Sequence, residues 1–445
     1  MSALRAQAVN IVGAGLAGSL LALLLARRGF AVVLYDRRVD PRTVASSAGR
    51  SINLALAARG IRALERAHAM PFIEPLLIAM RGRMLHDLSG ACELQPYGRT
   101  AHEVIYSVDR AALNHALLDE VARHPQVEIR FAQACLGAEL QHNHLLFRDT
   151  ASGDTYEREL TPTIATDGAG SAVRSSLVAA QAIRVREEPL GHDYKELTIP
   201  ARAGRHVLDP AALHIWPRGG FMLIALPNVG GSFTATLFLP RAGATSFAAL
   251  NTNEHIAEFC ARQFPDVVAL MPDLIGEFMH HPLGYLGTVH SAPWHVGGRV
   301  LLMGDAAHAI FPFHGQGMNA AFEDCLGFDE LLEECADWAS LFARFEERRR
   351  PNAEAIAQMS LENYEEMRAT VLDPAFKRHQ QLSFALEERF PDRFIRRYSM
   401  VMFHPEISYA EALRRGQVQN EIIAEIDQHP ERAQALIEAR LPPIL

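Results

Sequence analysis

The run Gly13-Ala14-Gly15-Leu16-Ala17-Gly18 stands between a β-type stretch, Val9-Asn10-Ile11-Val12, and a long segment rich in Leu and Ala. Each glycine has a task in that setting. Gly13 permits a tight turn, Gly15 lets the main chain approach a pyrophosphate, and Gly18 allows close packing of helix on strand. Leu16 and Ala17 open a helix whose free N–H groups favour phosphate. Asp36, with Arg37 beside it, follows Gly18 by eighteen residues and can accept hydrogen bonds from ribose hydroxyls. A glycine turn that binds nothing is the plain alternative, and the motif alone does not choose between nicotinamide and flavin dinucleotides.

A second group makes that choice. Val300-Leu301-Leu302-Met303 reads as a buried strand running into Gly304-Asp305, and Pro312-Phe313-His314-Gly315-Gln316-Gly317-Met318-Asn319 opens an amphipathic helix. An aspartate at such a turn can hold the ribityl hydroxyls of a flavin. The glycine-lined helix start can present N–H groups to the flavin's pyrimidine edge, where negative charge gathers on reduction. A nicotinamide dehydrogenase needs no such second site. A third stretch, Ile164-Ala165-Thr166-Asp167-Gly168-Ala169-Gly170, reads as strand, turn and helix start. Alone it is equally an ordinary surface turn.

These groups need elements to hold them. Residues 8 to 36 read as strand, helix (Gly13 to Arg28) and strand (Ala31 to Tyr35), a βαβ unit. An Ala/Leu-rich stretch from Ser51 to about His68 is expected to be helical. Arg81 to Tyr97 reads as a hairpin inserted into the first lobe. Val104 to Val108 and Arg110 to Arg123 predict a strand and a helix, residues 183 to 292 are β-rich, and the chain is helical from 336 onward. The expected fold is α/β. A Rossmann-like FAD-binding domain is built from 1–75, 100–180 and 293–350, a β-rich substrate domain from 76–99 and 181–292, and a C-terminal helical region, 351–445, closes the substrate site.

Composition narrows the class. The 445 residues are 49% hydrophobic and 21% charged with mean hydropathy near zero, which fits a globular chain with a sizeable core. A formal charge of −9 without a basic block argues against nucleic acid or an anionic membrane. Five scattered cysteines without a C-x-x-C pair suggest neither zinc nor a disulfide framework, so a reducing cytoplasm is the expected home. The start reads as a strand and not a signal peptide, and the tail is too polar for a membrane anchor. A homodimer is left open.

The order of the motifs, glycine fingerprint, Asp-Gly, then Gly-Asp, resembles the class A flavoprotein monooxygenases. Further blocks are similar to the kynurenine 3-monooxygenase family of that class, and they span nearly the whole chain. They are Gly49-Arg50-Ser51-Ile52-Asn53-Leu54-Ala55-Leu56, Met80-Arg81-Gly82-Arg83-Met84, Leu94-Gln95-Pro96-Tyr97-Gly98, Tyr106-Ser107-Val108-Asp109-Arg110, Tyr194-Lys195-Glu196-Leu197, Leu213-His214-Ile215-Trp216-Pro217, Phe313 to Asn319, and Arg397-Tyr398-Ser399-Met400. The likeness is to the bacterial forms that lack a C-terminal membrane segment. It implies one bound FAD, NADPH as transient electron donor, O2 as co-substrate and L-kynurenine as the ring hydroxylated, in tryptophan catabolism. It also implies cofactor contacts from Arg50, Arg110, Asp167, Gly304, Asp305, Pro312, Gly315, Gly317, Met318 and Asn319, with Phe313 and His314 as the catalytic-site residues. Phe313 and His314 flank the flavin, with His314 in a positioning role.

For the amino-acid end of the substrate, Arg83 and Tyr97 match the family's carboxylate pair, and Asn363 and Tyr398 its C-terminal contributors. Arginine can grip a carboxylate through two parallel charged hydrogen bonds. An arginine in a hairpin is also commonly just a solvated charge, and Arg81, two residues away, competes for the role. His280-His281 invites a metal reading, but adjacent residues on a strand point apart and no Cys or carboxylate cluster accompanies them. Two functional alternatives remain. One is a class A hydroxylase acting on another amino- or hydroxy-substituted aromatic acid. The other is a flavoprotein that does not hydroxylate; a halogenase box is not seen, since Trp216, Trp294 and Trp338 stand far apart.

Overall fold

The computed structural model describes residues 4–44, 53–367 and 373–444. The chain divides into two units, one made of 1–77, 107–190 and 286–354, the other of 78–106, 191–285 and 355–445. Each is assembled from three separated stretches of chain.

The first unit is built on a six-stranded sheet. Its order is His295–Val296, Val300–Leu302, Thr163–Ala165, Val9–Val12, Val32–Tyr35, Val127–Arg130. All neighbours are parallel except the first pair. The central strands are short apolar runs, and Val9–Val12 is buried at every position, as a sheet covered on both faces requires. Helix α1, Leu16–Arg27, buries every residue from Gly18 to Ala26 against α2, Arg110–Val121, and α3, Gly317–Leu331. It stops where Gly29 takes φ +78°. There Gly29 N–H donates to Ala26 O and Phe30 N–H to Leu25 O, the paired bonds of a Schellman ending. A three-stranded antiparallel meander, Gln133–Glu139, His144–Asp149 and Thr155–Glu159, packs on the helix Ala172–Ala179.

The stretch expected to be one helix up to His68 is divided. Asn53–Leu56 is a strand and only Ala58–Arg66 is helical, while Ser51 and Ile52 lie outside the described residues. A distant side chain decides this. Asn319 accepts the Ala57 N–H (2.9 Å) and donates to Ala55 O (2.8 Å), which holds the segment extended against the helical preference of its Ala and Leu residues.

The second unit centres on a seven-stranded sheet ordered Gly284–Ala292, Arg184–Ile199, Phe233–Pro240, Met222–Pro227, Ala212–Pro217, Gly82–His86, Cys92–Pro96. The last two form the expected hairpin, with Arg83 opposite Gln95. Inside the region read as β-rich, Asn253–Gln263, Pro265–Val268 and Leu274–His280 are helical. They bury Ile256, Phe259, Phe264 and Phe278 on Trp216, Leu223, Phe233 and Leu237 of the sheet. His280 and His281 therefore end a helix and do not sit on a strand; their Nδ1 atoms meet Gly276 O (2.7 Å) and Glu196 O (2.8 Å). Helix α4, Trp338–Glu365, runs into the last stretch. There α5, Pro374–Arg389, α6, Arg397–Phe403, and α7, Tyr409–Gln428, follow, with a core that includes Leu386, Phe394, Ile422 and Ile437. No described helix is long and apolar enough to cross a membrane.

Candidate active site

The dinucleotide cradle lies in the first unit, at the carboxyl ends of three parallel strands. Gly13 has φ +107°, and a Cβ there would meet Thr166 O at 2.5 Å. At Gly18 a Cβ would meet Gly13 O at 1.9 Å, whereas at Gly15 nothing lies within 4 Å. The glycines thus do three different things: turn, close packing, and an open approach. Gly15 is the N-cap of α1 and provides no side-chain cap. By contrast, Asp109 and Ser171 cap α2 and the helix Ala172–Ala179. Uncapped N–H groups beside open space suit a phosphate.

Asp36 is buried and fixed. It accepts the Ala14 N–H (2.9 Å) and the Arg38 N–H (2.9 Å), and pairs with the Arg38 guanidinium (2.8 Å). Arg38, not singled out in the sequence, is its partner, although Arg37 and Arg38 are both exposed. Thr166, quoted in the third stretch without a role of its own, shares its Oγ1 proton between Val12 O and Gly13 O and so ties the third motif to the first. Asp167 caps the following helix through Oδ2, accepting Ala172 N–H at 2.9 Å. Its buried Oδ1 has no hydrogen-bond partner among the described residues, and burial pushes the carboxyl above the usual range. Leu16 and Ala17 form the first turn of α1, and Arg110 is exposed at the start of α2. Arg50 lies outside the described residues.

At the Gly-Asp turn, Gly304 takes φ +59° at the end of a wholly buried strand and Asp305 emerges exposed. Beneath the turn lies a buried network the sequence did not disclose. Asp324 accepts the Gly304 N–H (3.2 Å) and pairs with His308 Nε2 (2.6 Å) and Arg349 Nε (2.7 Å). Burial pulls the Asp324 carboxyl upward, and its contacts with His308 and Arg349 outweigh that pull and hold it below its usual range. Pro312 to His314 form a 3-10 turn closed by Gly315 at φ +64°. Phe313, His314 and Met318 are buried. Gly317 opens α3, which again lacks a side-chain cap. The Asn319 side chain is engaged by Ala55, Ala57 and Gly315, so it holds this loop together. Two uncapped glycine helix starts, an open approach at Gly15 and an exposed Asp305 are donors and acceptors that fit a diphosphate, a ribityl chain and a flavin edge.

The residues read in the sequence as candidates for an amino-acid end gather in the second unit. Arg83 is on the hairpin and Tyr97 just past it; Asn363 and Glu366 are near the end of α4, and Tyr398 is in α6. The Arg83 guanidinium carbon sits 4.8 Å from the Tyr398 ring centre and 5.9 Å from that of Tyr97. The two rings stack at 5.6 Å and 14°. Arg83 Nε and Tyr97 Oη are sealed from water without a well-formed hydrogen bond among the described residues. Burial pulls the Arg83 guanidinium down, but Tyr398, Tyr97 and Glu366 outweigh it and keep it charged. Burial holds the Tyr97 hydroxyl well above its usual range and raises that of Tyr398, so both are neutral. Burial also raises Glu366, against the pull of Arg83 and Arg397. Asn363 is buried with Nδ2 3.2 Å from Met367 Sδ. Arg81, by contrast, is exposed and paired with Asp209 at 3.0 Å. A charged guanidinium, two neutral hydroxyls and a carboxylate complement the two ends of a zwitterion. Glu366 was missed in the sequence, although it stands one helical turn from Asn363.

Known proteins resemble this chain in sequence and in fold. The FAD binding domain family model matches residues 6–188 and 282–360, more than half of the chain. The kynurenine 3-monooxygenase of Xanthomonas axonopodis pv. citri (strain 306) is 45% identical over 453 residues, covering 100% of this chain and 99% of the relative. That of Xanthomonas campestris pv. campestris (strain 8004) is 46% identical over 94% of this chain and 92% of its own. Among solved structures, tetrameric 2-methyl-3-hydroxypyridine-5-carboxylic acid oxygenase superposes with TM-score 0.65 at 19% identity, over 83% of this chain and 94% of that one. A variant of Klebsiella pneumoniae HpxO complexed with FAD gives 0.65 at 19%, over 86% and 96%. At such identities these two show the shared fold. The full-length identity shows more: this chain belongs to the kynurenine 3-monooxygenase family, flavin monooxygenases carrying the FAD binding domain.

Proposed function

We propose that this chain hydroxylates L-kynurenine at the ring carbon ortho to its amine, consuming NADPH, a proton and O2 and yielding 3-hydroxykynurenine, NADP+ and water, as a step of tryptophan catabolism. FAD, when bound and reduced, supplies with O2 an electrophilic oxygen. The aniline amine already enriches the target carbon in electrons, so the protein contributes binding, orientation and exclusion of water, and no strong base.

The diphosphate is taken by main chain from Gly13 to Gly18, including Leu16 and Ala17, and the adenosine ribose by Asp36 with Arg37 near it. Asp305 holds the ribityl hydroxyls, and Asp167, Arg110 and Arg50 complete the cofactor contacts. Gly304 and the segment Pro312, Gly315, Gly317, Met318 and Asn319 shape the flavin edge, with Phe313 and His314 as positioning residues there. Arg83, Tyr97 and Tyr398 hold the substrate carboxylate, and Asn363 and Glu366 its ammonium. The reading is of a cytoplasmic enzyme acting on a free small molecule, with no nucleic-acid partner and a homodimer as the assembly to test by light scattering.

One observation carries the substrate reading: Arg83 keeps its charge with Nε sealed from water and lacking a good partner, a state that a ligand carboxylate relieves. The test is a flavin spectrum of the purified protein and NADPH consumption with and without L-kynurenine, with mass spectrometry for a product one oxygen atom heavier. Stimulation and that product are expected. Arg83→Ala should cost about 2–5 kcal/mol of kynurenine affinity while retaining FAD. A colourless protein, or unchanged affinity in the variant, overturns the reading.

A further inference from the structure

The two stacked tyrosines beside Arg83 reach it from segments far apart in sequence, and one guanidinium bonds to both segments. Arg396 is the N-cap of α6, two residues before Tyr398. Its Nη2 donates to Tyr97 O (3.2 Å) and to Ser399 Oγ (3.0 Å). Its Nε donates to Glu387 Oε2 (2.6 Å) and its main-chain N–H to Glu387 Oε1 (2.9 Å). The guanidinium carbon lies 3.6 Å from the centre of the Phe384 ring. Glu387 is anchored in turn, its carbonyl accepting Arg99 Nη1 at 3.0 Å. Both charged side chains are nearly closed to water, at 11% and 7% exposure.

We propose that Arg396 is the positioning residue for the amino-acid end of the substrate, setting the separation of the stacked Tyr97 and Tyr398 beside Arg83. The inference rests on the substrate reading above and names a residue outside it. The Tyr97 peptide is held on its N–H side by Arg81 O (3.0 Å), and on its carbonyl side by Arg396. Loss of the second tether frees the main chain at Tyr97 to turn away from Tyr398, and a carboxylate then loses a hydroxyl from its binding set. Lysine cannot substitute. It offers a point charge on a flexible stem, whereas Arg396 spreads a planar fork over Glu387, Ser399 and Tyr97 and stacks on Phe384.

The test separates positioning from general damage. In Arg396→Met, KM for L-kynurenine should rise about tenfold or more while kcat changes less than about threefold, a loss near 1.4 kcal/mol. The inhibition constant of 2-aminoacetophenone, which keeps the ring and ketone but lacks the amino-acid end, should stay unchanged, as should FAD content. Arg396→Lys should restore little, and Glu387→Gln should shift KM in the same direction by less. Unchanged KM in Arg396→Met overturns the assignment, and so does an equal loss for 2-aminoacetophenone. Should Arg396→Met fail to fold, Glu387→Gln decides by the same two constants. Normal kynurenine turnover in the unsubstituted protein with a flat KM in the variants rejects Arg396 alone, whereas no kynurenine response at all rejects the substrate reading with it.

Discussion

Glu366 and Arg83 lie in one desolvated cluster, where burial weighs most on each and each also bears on the other. Burial raises the Glu366 carboxyl above the ordinary glutamate range, with Glu362 adding to the rise and Arg83 and Arg397 opposing it. A substrate ammonium needs the ionised carboxylate. Affinity is therefore full above that raised value and is lost as pH falls through it. The acid limb of kcat/KM for L-kynurenine should stand above the usual glutamate range, because that parameter reports the free enzyme. Glu366→Gln should remove the limb and lower kcat/KM at neutral pH by about tenfold. An identical limb in the variant would place the titration elsewhere. This residue was not legible in the sequence for a plain reason. Glu362, Glu365 and Glu366 form one acidic stretch of a helix, and such stretches are mostly solvated. Only the fold shows that Glu366 is desolvated beside Arg83. Arg83 and Tyr97 were legible through their blocks, yet the choice between Arg83 and Arg81 needed the exposed pair of Arg81 with Asp209.

At the scale of elements, the hairpin strand Gly82–His86 and its neighbour Ala212–Pro217 share a proton problem. His86 Nε2 faces His214 Nδ1 at 2.8 Å, and His214 Nε2 faces Asp209 O at 2.9 Å. The second contact assigns N–H to His214 Nε2, so His214 Nδ1 accepts from His86 Nε2, while His86 Nδ1 faces Asp266 Oδ2 and Cys92 Sγ, each at 3.4 Å. Burial and the neighbouring His214 press His86 down to about 4, and burial lowers His214 as well. A histidine depressed in the folded state adds stability that is complete above its unfolded value, near 6.5, and is lost as pH falls from there toward 4. The urea midpoint should therefore drop between pH 6.5 and 5, and His86→Gln should flatten that drop. An unchanged slope would assign the acid sensitivity to other groups. Local pattern made the flanking elements readable, since a buried apolar run such as Val9–Val12 and a Leu/Ala helix ending at Gly29 carry their own signals. Asn53–Leu56 reads as helix in the sequence because its extended form is imposed by Asn319, some 260 residues away. The helix Asn253–Gln263 carries Ile256, Phe259 and Cys260 at helical spacing, a local signal that the β-rich reading of residues 183 to 292 passed over.

For the whole molecule, the instructive fact is that each unit gathers three distant stretches, so neither candidate site exists until the chain has returned to it twice. The glycine turn, the Asp167 motif and the Gly304–Asp305 turn belong to the first unit. The hairpin, the end of α4 and α6 belong to the second. Motif order revealed the first assembly because phosphate and ribityl binding demand particular residue types. The second assembly left a weaker trace, since arginine, tyrosine and glutamate are common on any surface. Hydrogen exchange can examine the two assemblies independently, because a ligand slows exchange where it suppresses local opening. FAD added to the apoprotein should slow exchange in peptides covering 13–19, 304–308 and 315–320. L-Kynurenine added to the flavin-loaded protein should slow it in peptides covering 82–86, 96–98, 363–367 and 397–403. The last of these carries the most weight, because it contains Tyr398 and adjoins Arg396 yet shares no sequence neighbourhood with Arg83. Kynurenine protection confined to the helices between Asn253 and His280, with 82–86 and 397–403 unchanged, would mean that the guanidinium and the paired tyrosines hold this fold together without holding its substrate.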